Sequence, residues 1–355
     1  MAVSILLFLI IFSVIVVGHE FGHYMIARRS GIRVNEFDIG MGPALLKWKR
    51  GETLFAIRLL PVGGACIFDG MDPTETDGDG EKKTYDEHSF LNAPVGARIA
   101  TVLAGPCANF ILGLVFAMII VAFSGTDLPT VYQVVDGSAA QEAGLEAGDT
   151  IRKINGANIH VYREVQLYSL VNYGEPMTMT IERDGKEFSV TLTPKYSEDD
   201  DRYYIGISGP GSYLECKGLQ VFQYGFYEAE YWVRATFQSL GLIFRGHFQL
   251  DDLSGPVGIV KTVDDTYQEA KPYGLPTVLL SMLNLATLLS INLGIMNLLP
   301  IPALDGGRLL IYIIEAIRGR KLSPEKEGYI TLAGAVALIA LMVVVCFNDV
   351  TKFFR

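Results

Sequence analysis

Cysteine is sparse in this chain: Cys66, Cys107, Cys216 and Cys346 are scattered over 355 residues, and two of them fall in apolar runs. Neither a disulfide framework nor a C-x-x-C metal site is expected from them. Basic charge is not in excess either. The formal net charge is −10, and all of the imbalance lies in residues 125–274, which hold 22 acidic and 12 basic side chains against 17 of each elsewhere. Without a basic footprint, no nucleic-acid partner is expected. The first apolar run lacks a basic n-region, is longer than the apolar part of a signal peptide and is followed by Arg28-Arg29, so it is not expected to be cleaved.

What the chain has in quantity is apolar sequence: 50% of its residues are hydrophobic and the mean hydropathy is +0.31. That is too apolar for an ordinary soluble enzyme, at a length that leaves room for a soluble domain. Runs of roughly 20 residues, enough to cross a bilayer, occur at Ala2–Ile26, Ile99–Phe123, Leu275–Leu299 and Tyr329–Phe347. The expected fold is an α-helical polytopic membrane protein whose four transmembrane helices lie within residues 1–27, 98–124, 275–308 and 328–348. Arg28, Arg29 and Arg33 fall in segment 28–97, Arg98 opens the second span beside it, and Arg318, Arg320, Lys321 and Lys326 fall in segment 309–327. The positive-inside rule makes those segments cytoplasmic and turns the N-terminus, residues 125–274 and the tail 349–355 outward. Lys352 and Arg355 are a minor contrary signal.

His19-Glu20-Phe21-Gly22-His23 matches H-E-x-x-H inside the first apolar run. Residues four apart share a helix face, so His19 and His23 can offer two imidazoles to one Zn2+ while Glu20 reaches a metal-bound water. Ionisable groups in a lipid span cost about 2.5–3.5 kcal/mol each and are functional candidates by default. His19 lies about 17 residues from Ala2, roughly 25 Å at 1.5 Å per residue, near the cytoplasmic side of a core about 30 Å thick. Any further ligand must reach that layer.

Other segments carry weaker signals. Leu45–Leu59 reads as two short strands around a Lys49-Arg50-Gly51-Glu52 turn, a membrane-associated β-hairpin flanked by Gly40, Gly42, Pro43, Gly63 and Gly64. It can offer an edge to an extended peptide or simply lie on the membrane surface. The acidic stretch Asp69–Lys83 reads as a loop, with a spacing that departs from an EF-hand at both ends. Within Gly105-Pro106-Cys107-Ala108-Asn109-Phe110, Asn109 lies roughly 15 Å below the cytoplasmic end of its span. It can hydrogen-bond there or satisfy backbone groups, while Gly105 can serve helix packing. Ala140 to Gly156 resembles the A-x-x-A-G-L-x-x-G-D-x-I-x-x-I-N-G signature of bacterial PDZ domains, which implies an inserted, peptide-binding α/β PDZ domain at 125–212. The aromatic-rich residues 213–245, in an interfacial region 213–274, suit an amphipathic helix on the outer membrane surface or one packed on a domain.

The third long run enters from outside, crosses the core by about Asn297 and is broken by Pro300 and Pro302, so Asp305 emerges in the layer of the histidine pair. Two His and one carboxylate with an open position are a catalytic zinc set. Asp305 can also cap a helix starting at Gly306. Taken in order, His19–His23, Ala104-Gly105-Pro106 with Asn109-Phe110, the PDZ-like insert, Gly255-Pro256-Val257-Gly258-Ile259 and Asn297 through Gly307 resemble the site-2 proteases, in particular the bacterial RseP-type branch. The resemblance covers nearly the whole chain. It implies a multi-pass protein of the bacterial cytoplasmic membrane that performs regulated intramembrane proteolysis on a transmembrane substrate, an anti-sigma factor or signal-peptide remnant. An upstream extracytoplasmic protease is implied to trim that substrate first, and Asn109 and Asn297 to help hold the substrate strand. Some members carry two PDZ domains, whereas one is evident here.

Chemically, zinc would activate water and polarise the scissile carbonyl while Glu20 moves the proton. A substrate helix must unwind before it is cut, which lipid tolerates only against protein partners. Leu54, Phe55, Ala56 and Ile57 of the hairpin, with Asn109 and Asn297, are the expected partners. A non-catalytic PDZ adaptor with a structural zinc is disfavoured by Glu20, which such a site does not need. A zinc-dependent transporter is disfavoured because the ionisable residues sit at one depth.

Overall fold

The computed structural model describes residues 2–71, 85–198, 202–246 and 255–353. The acidic stretch that suggested an EF-hand lies largely outside them. The chain divides into a unit of residues 1–113 with 249–355 and a unit of residues 114–248.

Helix α1 (Ala2–Arg29) buries Ile11, Ile15, His19, His23 and Ala27, a stripe repeating every four residues, and leaves Val3, Leu6, Ile10 and Val14 exposed. The two histidines therefore belong to the inward face of a helix whose other faces suit lipid. The helix stops at Gly31, whose φ is +77°. Ile32 N–H returns to the Ala27 carbonyl (2.9 Å) and Gly31 N–H to that of Arg28 (3.3 Å), a Schellman ending that also packs Ile32 near Ala27.

Strands β1 (Val34–Arg50) and β2 (Thr53–Phe68) form a hairpin far longer than the Leu45–Leu59 expected from sequence, with its turn at Gly51-Glu52 as expected. Gly40, Gly42 and Gly63 sit inside these strands with φ of +89°, +87° and +83°. They bend the strands instead of ending them, so the ribbon doubles back on itself. Asp38 then has Ala65 on one side and Ala56 on the other. Helix α2 (Val95–Ser124) crosses α1 where both are small: a Cβ on Gly22 would stand 2.8 Å from that of Ala108.

The second unit contains an α/β domain with strands β3 (Thr126–Val134), β4 (Thr150–Ile154), β5 (Ala157–Asn158), β6 (Met177–Arg183), β7 (Lys186–Leu192), β8 (Lys195–Ser197), β9 (Arg202–Tyr204) and β10 (Ile207–Leu214), and helices α3 (Ala139–Glu142) and α4 (Tyr162–Val171). The main sheet runs β10-β3-β4-β6-β7, with β5 on β4. Each residue of the PDZ-like signature has a job. Ala140, Leu145, Ile151 and Ile154 fill the core, and Gly144, Gly148 and Gly156 take positive φ. Asp149 is buried and bonded by Arg183 Nε (2.6 Å) and Nη2 (2.8 Å). Helix α5 (Leu219–Phe244) takes the second alternative for its region, packing on a domain. One face holds α4 through Arg163–Glu228 (2.9 Å) and Arg234–Glu164 (3.0 Å), while Leu219, Phe222, Phe226 and Phe237 are exposed on another.

Helices α6 (Pro256–Ala270), α7 (Leu275–Leu298), α8 (Asp305–Arg318) and α9 (Pro324–Phe353) complete the first unit. Among the described residues, α1, α2, α7 and residues 326–352 of α9 are long and apolar enough to cross a membrane. Asp349 of α9 accepts the Gly258 N–H (2.8 Å) at the first turn of α6. At the other end of the bundle, Arg98 of α2 is paired with Glu315 of α8 at 2.6 Å, both nearly inaccessible. Arg98 also stacks on Tyr312, and Glu315 accepts the Leu322 N–H (2.7 Å).

Removing one partner of a buried pair strands the other charge. Glu315→Leu is expected to cost about 3–5 kcal/mol, and Arg98→Met with Glu315→Leu less. Thermal unfolding in detergent should place the Tm of the double variant above that of Glu315→Leu.

Candidate metal centre

The inward stripe of α1 brings His19 and His23 together with ring centroids 4.7 Å apart and planes at 89°. Their Nε2 atoms are 3.2 Å apart. Asp305 Oδ2 lies 3.1 Å from the first and 3.3 Å from the second. Bonds of 2.0–2.1 Å at tetrahedral angles separate ligand atoms by about 3.3 Å, so these three atoms form one face of a zinc tetrahedron. Asp305 Oδ2 is buried and accepts no hydrogen bond. Two imidazole nitrogens and a carboxylate oxygen facing one another are a donor set for a cation, and they fit zinc. Among the described residues this is the one such group.

Local sequence makes the convergence possible. Gly105 is the notch in α2 that admits both rings: a Cβ there would lie 2.8 Å from His19 Cε1 and collide with the His23 imidazole. Pro300 and Pro302 follow the end of α7, and Ala303 turns at φ +80°. Gly306 and Gly307 then let α8 start against the preceding loop, where a Cβ on Gly307 would be 2.8 Å from the Ile301 carbonyl carbon. Leu304, not Asp305, is the N-cap of α8, so the capping alternative is not realised and the Asp305 carboxylate is directed to the histidines.

Beside the triad, Glu20 lies against β2. A Cβ on Gly64 would be 3.2 Å from Glu20 Cγ, so this stretch of β2 runs along the base. The hairpin expectation needs correction here. Leu54, Phe55, Ala56 and Ile57 are paired on both sides, with Glu36–Ile39 and with Leu46–Lys49, and offer no edge. Among the described residues, Gly64–Ile67 pair with β1 on one side only and present an edge beside Glu20. Sequence reading missed this edge because Gly63-Gly64 looked like a break.

Asn109, expected beside the substrate strand, is instead wholly buried, with its side-chain Nδ2 3.1 Å from His19 Nδ1. His23 Nδ1 lies 2.8 Å from the Thr101 carbonyl oxygen, a partner that no side-chain pattern reveals. Asn297 is half-buried in the last turn of α7, eight residues before Asp305. Two histidines, one carboxylate and a neighbouring free carboxylate can together activate water and move its proton.

The model of peptidase family M50 matches residues 7–341. The zinc metalloprotease RasP of Geobacillus kaustophilus is 35% identical, with 99% of this chain and 98% of the relative aligned. The regulator of sigma-W protease RasP of Bacillus subtilis is 33% identical and the probable protease Eep of Enterococcus faecalis 34%, each with 99% of both chains aligned. With four apolar helices and a zinc-shaped donor set, the chain belongs to peptidase family M50, the site-2 proteases, and is a multi-pass membrane zinc metalloprotease.

Proposed function

We propose that this protease cuts single-span membrane proteins within the bilayer, with His19, His23 and Asp305 as zinc ligands and Glu20 as general base. The observation that carries this reading is the tetrahedral face of ligand atoms, 3.1–3.3 Å apart, on the buried side of a membrane helix next to Glu20. Zinc, when bound, lowers the pKa of a coordinated water and polarises the scissile carbonyl. Glu20 takes the proton of the attacking water and returns it to the departing amine.

A helix reaching this site must give up its own hydrogen bonds, and in lipid they must be replaced by protein. The Gly64–Ile67 edge can pair with such a strand, which would then lie along the base and across the centre. Asn297 remains a candidate contact from the last turn of α7. The basic loops support a centre near the cytoplasmic side with residues 125–212 outside. There the PDZ-like domain would receive a substrate already shortened by an extracytoplasmic protease. The name of the Bacillus subtilis relative, regulator of sigma-W protease, supports an anti-sigma factor as the substrate class. Signal-peptide remnants are the other class implied by the family resemblance.

Purified protein incubated in detergent with a panel of single-span substrates should cleave at least one, and a zinc chelator should stop it. Glu20→Gln is expected to abolish that cleavage with zinc content unchanged; undiminished turnover would sink the assignment of the base. Gly64→Ala crowds Glu20 and should lower kcat about tenfold or more with zinc still bound, as small misplacements at reacting groups do. Protease added to intact cells should degrade residues 125–212 and spare the loop 309–327.

A further inference from the structure

Zinc held through the Nε2 of a neutral imidazole leaves the ring proton on Nδ1, so each histidine of the centre turns an N–H away from the metal, and that N–H needs an acceptor. His23 has one in the Thr101 carbonyl oxygen at 2.8 Å. His19 has the Asn109 side chain at 3.1 Å, with the amide turned so that Nδ2 faces the ring. A zinc-bound His19 would then meet a donor with a donor, while Asn109 Oδ1 is buried without a partner. Amide oxygen and nitrogen are nearly isosteric, and a half-turn about χ2 exchanges them in the same space.

We infer that in the zinc-loaded enzyme Asn109 is a positioning residue: its Oδ1 accepts the Nδ1–H of His19 and holds that ring with Nε2 on the metal. The inference rests on the assignment of His19 as a ligand and replaces a substrate-holding role for Asn109. The side chain is fully inaccessible, so a substrate strand cannot touch it without rearrangement. Its backbone is also held, since Ser290 Oγ of α7 donates to the Asn109 carbonyl at 2.8 Å. Gly294 packs close by, where a Cβ would be 3.4 Å from that of Asn109. Helix α2 thereby supplies the outer partner of both histidines, a carbonyl at residue 101 and an amide at residue 109.

The test uses the full-length protein and the metal alone. Asn109→Leu keeps the volume and removes the acceptor, Asn109→Ala removes it with less bulk, and Asn109→Asp keeps an acceptor oxygen. Zinc affinity, measured by competition with a chromophoric chelator, should fall about 10–100-fold in the Leu and Ala variants and be largely retained in the Asp variant. The visible spectrum of the cobalt-substituted protein should change in the first two and stay close to the parent's in the third. His19→Ala serves as the separate check on the ligand set: tight zinc binding by that variant would overturn the centre itself. Parental zinc affinity and cobalt spectrum in Asn109→Leu or Asn109→Ala, with only KM raised, would overturn the positioning role and return Asn109 to the substrate. Equal weakening in the Asp variant would also overturn it, since an acceptor would then not be what matters.

Discussion

A polar atom buried behind the metal ligands, away from the open position, has no water to turn to, and leaving it unpaired costs several kcal/mol. Much of the first unit follows from that constraint. The imidazoles lie on the one stripe of α1 that faces protein, and their outer nitrogens meet Thr101 and Asn109 of α2. The Asn109 carbonyl is in turn taken by Ser290 of α7. Three helices are thus tied together around two rings. The close approach this needs comes from Gly22, Gly105 and Gly294, where side chains would fill the space the rings and backbones occupy.

The same constraint shapes the hairpin. An apolar ribbon near a membrane cannot leave its backbone unpaired, and doubling back gives residues 36–39 and 54–57 neighbours on both sides. Among the described residues two edges remain open, Leu46–Lys49 and Gly64–Ile67, and the second runs beside Glu20. A strand arriving at the metal centre would meet the second of these. The chemistry and the place where a substrate backbone can be satisfied are therefore side by side.

Away from the centre, polar pairing supplies orientation rather than catalysis. Arg98 and Glu315 anchor α8, the helix whose first residue is Asp305. Arg163 with Glu228 and Arg234 with Glu164 hold α5 against α4, next to the PDZ-like sheet. These are low-exposure pairs, so their value lies in fixing one arrangement more than in net stability.

Sequence alone determined the spans, the histidine pair, Glu20 and the layer where Asp305 emerges. Each follows from a local rule: a run length, a helical repeat of four, a proline that ends a helix. The PDZ-like signature was legible for the same reason, because its glycines and Asp149 act on their own turns. Tertiary structure decided what depends on partners distant in sequence. Whether Gly63 breaks a strand or bends it, which edge of the hairpin lies beside Glu20, and whether Asn109 faces substrate or His19 are set by neighbours 20 to 90 positions away. A hydrogen bond has two ends, and at these positions the chain names only one of them.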